Sequence, residues 1–235
     1  MTAAVQVVAE EVRIPRQGRG GVPLEAYLAQ PAGDGQHPAV VVIHELYGLN
    51  DNIRDIARRF AGEGYVALAV DMFSGGPSRP LCIMRVMSAL VLRPLNNAGL
   101  DILRDAIDWL QQRPDVDGDR IGAVGYCMGG GYALALACVE NDLKASSAYY
   151  GLNPGPLSAL RRACPIVGSY PEQDWSARSA RRLEKALTRY GIPHDVKTYA
   201  GARHSFFNDT LDTYDPEAAA DSWQRTLAFF REHMA

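Results

Sequence analysis

The chain has 235 residues, 24 basic side chains against 27 acidic ones, a net charge of -3 and 47% apolar residues. These values suit a globular chain and argue against disorder, and they give no basic surplus for nucleic acid or an anionic membrane. The opening MTAAVQVVAEEV carries Glu10 and Glu11 where a leader would be apolar, and no run approaches about 18 apolar residues, so a cytoplasmic protein without a membrane span is expected. The cysteines at 82, 127, 138 and 164 form no CxxC pair and are too few for a disulfide scaffold, which suits a reducing compartment.

Residues 4–14 and 22–30 read as two edge strands around a turn containing Gly18, Gly20 and Gly21. Residues 38–44, PAVVVIH, then give the first strand buried on both faces. Ile53, Ile56, Ala57 and Phe60 share one helical face, and Gly62 and Gly64 end that helix. A second buried strand follows at 65–72. Residues 73–97 are irregular, rich in Pro, Gly, Ser and Arg, and lie over the top of the sheet. Within them, Leu81 to Leu92 is apolar enough to suggest a small helical cap with a greasy inner face. Leu100, Leu103, Ile107 and Leu110 make the next helix. Asp115, Asp117 and Asp119 resemble a calcium loop only superficially, because no Glu closes it, and they read as the turn into a strand at 120–127. Further strands are expected at 144–151, 164–170 and 195–201, with helices around Ala180–Tyr190 and Trp223–Met234. Strands alternating with helices predict a single α/β domain over 1–235, with a mostly parallel sheet of about eight strands covered on both faces.

Residues 125–129, Gly-Tyr-Cys-Met-Gly, follow an apolar strand and precede a helix-forming run. That is the G-x-nucleophile-x-G elbow, with Cys127 where serine is more usual. The helix N-terminus favours a thiolate there. Cys82, Cys138 and Cys164 lack this context and read as packing residues. A nucleophile needs a base, and the base an orienting acid. Of the histidines after Cys127, His194 precedes its strand and falls at the opposite sheet edge, and His233 is nearly terminal. His204 follows the strand and emerges at the edge of the elbow. Both Glu172 and Asp174 lie after the strand 164–170, and Asp174, shorter and next to the following helix, is preferred as the acid. Oxyanion donors are expected from the backbone N–H groups of Met128 and Leu46. Glu45, a carboxylate straight after a buried strand, reads as a regulator of the thiol or as a solvated loop residue.

These motifs resemble the dienelactone hydrolase family of α/β-hydrolases. The resemblance runs from about residue 22 to 232 and rests on HELYGLNDNIRDIARRFAGEGYVALAVDMF (44–73), DRIGAVGYCMGGGYAL (119–134), the loop around Asp174, and YAGARHSF (199–206). It implies a Cys127-His204-Asp174 triad, an acyl-enzyme, and oxyanion amides at Leu46 and Met128. It also implies a Glu45 that holds the resting thiol neutral and swings away when substrate binds. A small ester or lactone substrate, no cofactor and a monomer follow from the same resemblance. The family's dienelactone-cleaving enzymes hold a substrate carboxylate with two arginines, and here the sequence departs. Asn208 stands where one would align, and Arg79, Arg85 or Arg93 would have to supply the other. The candidate substrate contacts are therefore Tyr47, Arg79, Arg85, Phe206 and Asn208, with a larger or less charged substrate than dienelactone.

Other readings are weaker. Gly129-Gly130-Gly131 is not a dinucleotide turn with its acidic partner, and the five histidines show no metal-ligand spacing. A non-catalytic small-molecule binder would need neither base nor acid. A redox-sensing Cys127 would oxidise reversibly with peroxide and show no acylation burst.

Overall fold

The computed structural model describes residues 5–16, 22–74 and 78–235. The expected turn glycines Gly18, Gly20 and Gly21, and position 4 of the first strand, lie outside them. The edge strands β1 (Val7–Ile14) and β2 (Leu24–Pro31) pair antiparallel. The remaining strands are β3 (His37–Ile43), β4 (Val66–Val70), β5 (Val116–Tyr126), β6 (Leu143–Tyr149), β7 (Ile166–Gln173) and β8 (His194–Arg203), the last a largely exposed edge strand. They form one eight-stranded sheet in the order β1-β2-β4-β3-β5-β6-β7-β8, parallel from β4 onward. This is the α/β-hydrolase fold. The order reverses beside β3, so loops leaving β3 and β5 diverge and open a crevice at their carboxyl ends.

The helices are α1 (Asp51–Gly62), α2 (Arg79–Leu92), α3 (Ala98–Gln111), α4 (Met128–Val139), α5 (Ala177–Tyr190) and α6 (Pro216–His233). Helices α1 and α6 bury Ile53, Phe60, Trp223 and Phe230 against one sheet face. Helices α3, α4 and α5 pack Leu103, Leu134 and Leu183 against the other. Helix α4 has no polar stripe, and its residues from Met128 to Cys138 are all buried, as suits a helix walled in by its neighbours.

Three local expectations shift. Strand β5 starts at Val116, not 120, because Val116 pairs with His37 before a register shift. The acidic run therefore sits in an irregular stretch of strand, where Asp115 pairs with Arg113 and Asp117 with Arg120. Strand β7 continues to Gln173, since Pro171 pairs with Tyr199 and Gln173 with Arg203 across a bulge. The loop expected at 171–175 thus shrinks, and Asp174 stands directly at a strand end. In the 73–97 stretch, α2 turns Cys82, Val86 and Leu90 inward, but Leu81, Met84, Val91 and Leu92 are exposed. The apolar residues are not confined to an inner face.

Candidate active site

Cys127 occupies the single residue between β5 and α4. Its φ of 53° and ψ of -111° lie in a region that non-glycine residues rarely adopt, a cost of roughly 1–3 kcal/mol. The neighbours make that turn feasible. A Cβ on Gly125 would collide with the carbonyl of Gly129, and one on Gly129 with the carbonyl of Ile43. Only glycines let the strand and helix close this tightly, and the closure lifts the thiol above the sheet edge.

His204 follows the last residue of β8 and reaches the same edge. Its Nε2 lies 3.1 Å from Cys127 Sγ, and its Nδ1 lies 2.5 Å from Asp174 Oδ2. Asp174 is further fixed by Ser176 Oγ, which donates to the same oxygen at 2.7 Å. Glu172, the alternative acid, is exposed and instead accepts from the Gly201 N–H. Trp175 and Tyr150 flank the imidazole, with ring centroids at 5.4 and 4.9 Å. This chain of bonds can draw a proton from sulfur and leave the resulting imidazolium facing a carboxylate.

Glu45 is 4% exposed. Its Oε1 accepts from Ser205 Oγ at 2.7 Å and its Oε2 from Asn208 Nδ2 at 2.9 Å. The two donors offset the cost of burying the charge. Asn208 is thereby engaged with Glu45 and does not line the reaction cavity. The turn carrying Glu45 is pinned by His44, a fully buried residue that sequence reasoning passed over. His44 Nδ1 donates to the Glu45 carbonyl at 2.6 Å, and Nε2 accepts the Met72 N–H at 3.0 Å. A histidine ending a buried apolar strand was its only sequence signal.

The thiol departs from the thiolate expected at a helix N-terminus. Burial first, and the Glu45 carboxylate second, push the Cys127 thiol up to about 12, against the favourable Met128 N–H. Burial, with Glu45 second, also drives the nearby Tyr150 hydroxyl up. Desolvation and a like charge outweigh one helix end. Both causes act in the direction of a neutral resting thiol. Glu45→Gln removes the charge at nearly the same shape, with the amide oxygen still able to accept from Asn208 and the NH2 able to donate to Ser205 Oγ. Its iodoacetamide alkylation at fixed pH should become severalfold faster, with the rate profile displaced to lower pH. A profile superimposable on the parent would show that Glu45 does not hold the thiol neutral.

A cavity of about 330 Å³ opens over Cys127, walled by Leu46, Tyr47, Met87, Leu90, Met128, Leu152 and Trp175 and also by Glu45, His204 and Ser205. Leu46 and Met128, the expected oxyanion donors, both line this cavity with Cys127. Tyr47 is at the rim. Three other proposed contacts fall elsewhere. Arg79 Nη2 donates to the Tyr47 carbonyl, and the guanidinium lies over the Phe73 ring. Arg85 lines a different cavity. Phe206 is fully buried against Tyr149, Tyr150 and Tyr199. Met87 and Leu90 come from the apolar stretch expected as a cap, whereas Leu152, which the sequence missed, reaches the cavity only because the segment after β6 packs beside it.

Of the other thiols, Cys82 and Cys138 are buried and Cys164 is partly buried against the core. Cys138 Sγ donates to the Leu134 carbonyl, and burial pushes Cys138 and Cys164 each up to about 12. No group of three or more potential metal ligands occurs among the described residues, and no described helix is long and apolar enough to cross a membrane.

The model of the dienelactone hydrolase family matches residues 24–234. A carboxymethylenebutenolidase-like protein of Saccharolobus solfataricus is 35% identical over 246 residues, covering 90% of this chain and 95% of that protein. Another, from Synechocystis sp., is 31% identical and covers 95% of this chain and 96% of its own. Among solved structures, a dienelactone hydrolase-like protein of Klebsiella pneumoniae subsp. pneumoniae superposes with a TM-score of 0.84 at 29% identity, covering 97% of this chain and 99% of that one.

Proposed function

Since the chain belongs to the dienelactone hydrolase family, we propose that it hydrolyses small neutral esters or lactones through a thioester on Cys127. The observation that carries this reading is the continuous relay from Sγ to Nε2 at 3.1 Å and from Nδ1 to Oδ2 at 2.5 Å, set at the floor of an apolar cavity.

The steps follow from that geometry. The Cys127 S–H proton passes to His204 Nε2 as sulfur attacks the carbonyl carbon. The carbonyl π electrons move to oxygen, where the Leu46 and Met128 N–H groups receive the charge. Collapse breaks the C–O bond, and the leaving alkoxide takes the proton from His204. His204 then removes a proton from water as the hydroxide adds to the thioester carbonyl; collapse breaks the C–S bond, the departing sulfur takes the proton back from His204, and the acid leaves with the Cys127 thiol regenerated. A thiol held near 12 makes proton transfer before substrate arrives unfavourable, so attack and transfer are coupled. The same neutral thiol resists oxidation, which weighs against a redox sensor, and its reliance on free sulfur suits a reducing cytoplasm.

The substrate is neutral because no guanidinium among the described residues lines this cavity, while Glu45 does. A substrate carboxylate would meet a like charge and no partner. Phenyl acetate should show at least about tenfold higher kcat/KM than 4-carboxyphenyl acetate, the equivalent of about 1.4 kcal/mol. Initial rates across such matched pairs of esters, and of neutral and acidic lactones, check it. Preference for the acidic member would refute neutral selectivity, and no turnover of any member would refute the hydrolase reading.

A further inference from the structure

A second cavity, of about 250 Å³, lies against another face of α2. Helix α2 is a wall of both cavities, with Met87 and Leu90 facing Cys127, and Arg85, Val86 and Arg93 facing the second. Three guanidinium groups, Arg16, Arg85 and Arg93, line this second space, and no carboxylate among the described residues does. Arg16 Nε is shared with Asp105 Oδ2 at 3.3 Å. The described lining thus carries a surplus of positive charge, with Arg85 and Arg93 contributing two guanidiniums and no carboxylate beside them in the wall. The N-terminus of α3 opens onto the same space at Ala98 and Gly99 and adds the positive end of its dipole. Asn97 Oδ1 already takes the Gly99 and Leu100 N–H groups, so those amides are not available to a ligand and the guanidiniums must supply the hydrogen bonds. The remaining wall includes Met72, Val86 and Ile102, which are apolar and buried.

We propose that this cavity binds a small organic carboxylate, at a site separate from the reaction cavity. Guanidinium forks match a carboxylate in geometry and charge, and Arg85, within α2, and Arg93, the residue that caps its C-terminus, both line this cavity. A bare inorganic anion would satisfy the charge but leave the Met72, Val86 and Ile102 wall unfilled. A neutral molecule would fill the wall and leave the guanidiniums to water, without a charged partner. A carboxylate on a short hydrocarbon or aryl body satisfies both.

Isothermal titration of the full-length protein with benzoate, benzamide and inorganic phosphate tests this. Benzoate is expected to bind saturably, and benzamide and phosphate at least about tenfold more weakly. Arg85→Gln and Arg93→Gln should each weaken benzoate about tenfold or more, the loss expected for one charge-assisted contact. Both arginines are exposed, and an unchanged unfolding midpoint would verify that each variant is folded. Absence of saturable benzoate binding would overturn the proposal. So would an equal dissociation constant in both variants, which would place benzoate over Cys127, or phosphate binding as tight as benzoate, which would remove the role of the apolar wall.

Discussion

Cys127→Ala should lower kcat/KM for phenyl acetate by at least about 10⁴-fold, to what the cavity and its backbone donors provide unaided. The size of the loss follows from the site's construction. The sulfur is the nucleophile in hydrogen-bond contact with His204, and the other three thiols lie away from that cavity or line another. Water activated directly by His204 would have to enter a mostly apolar space and would lack the position that the strained turn gives to Cys127. The substitution removes one atom at a partly exposed position, so the fold should survive, which circular dichroism and the unfolding midpoint would verify. Steady-state rates, together with loss of the thioester detected by mass spectrometry after rapid quenching, provide the measurement. Turnover within a few fold of the parent would move the chemistry away from this site. It would also revive the idea of a binder that keeps the fold.

Asp174→Asn should be nearly as damaging, lowering kcat by about 10³–10⁴-fold with little change in KM. Asp174 Oδ2 accepts from His204 Nδ1 at 2.5 Å, which leaves Nε2 bare to take the thiol proton. An asparagine at that position can present its amide N–H to Nδ1 instead. The imidazole proton then moves to Nε2, which can no longer accept from sulfur. The developing imidazolium also loses its facing charge. Ser176 Oγ touches the same position as His204 Nδ1 and can accept from an asparagine NH2 placed there, so it does not oppose the exchange. Single-turnover kinetics separate this effect from binding, because acylation should slow while substrate affinity holds. A loss below about tenfold would mean that Asp174 only packs against His204.

Glu45 connects these effects to the rest of the molecule. Its carboxylate is held by Ser205 and Asn208, 160 and 163 positions away in the chain, and, after burial, its charge is the second cause that pushes the Cys127 thiol up. Asn208 therefore has a task on this fold, orienting Glu45, that an alignment with substrate-binding arginines does not suggest.

Much of the architecture is readable from local pattern. Runs such as Val40–Ile43 and Ala67–Val70 are apolar on both faces, which only a strand covered by helices on each side can satisfy. The glycines around Cys127 mark a turn no other residue would allow. Strand direction then separates His204 from His194, because a parallel strand carries its last residues to one edge and its first to the other. His194 begins β8, opposite Ile166 at the start of β7. These inferences need only period, polarity and chain order, which are local properties of the sequence.

The tertiary structure decided what depends on partners distant in the chain. Whether Glu172 or Asp174 meets His204 turned on a bulge that carries β7 to Gln173 and leaves Asp174 at its end. The sense of the Cys127 shift turned on how much water the packed cavity excludes and on a carboxylate from another loop, neither of which a helix N-terminus motif encodes. Arg79 and Arg85 differ by fewer than two turns of α2, yet one crosses to the Tyr47 carbonyl and the other lines a separate cavity. The sequence by itself determined the sheet, the elbow and the edge on which chemistry gathers, because backbone geometry and burial act within short segments. The structure alone decided which side chains share that edge and what charge they hold, because desolvation and Coulomb interactions depend on distances that only packing sets.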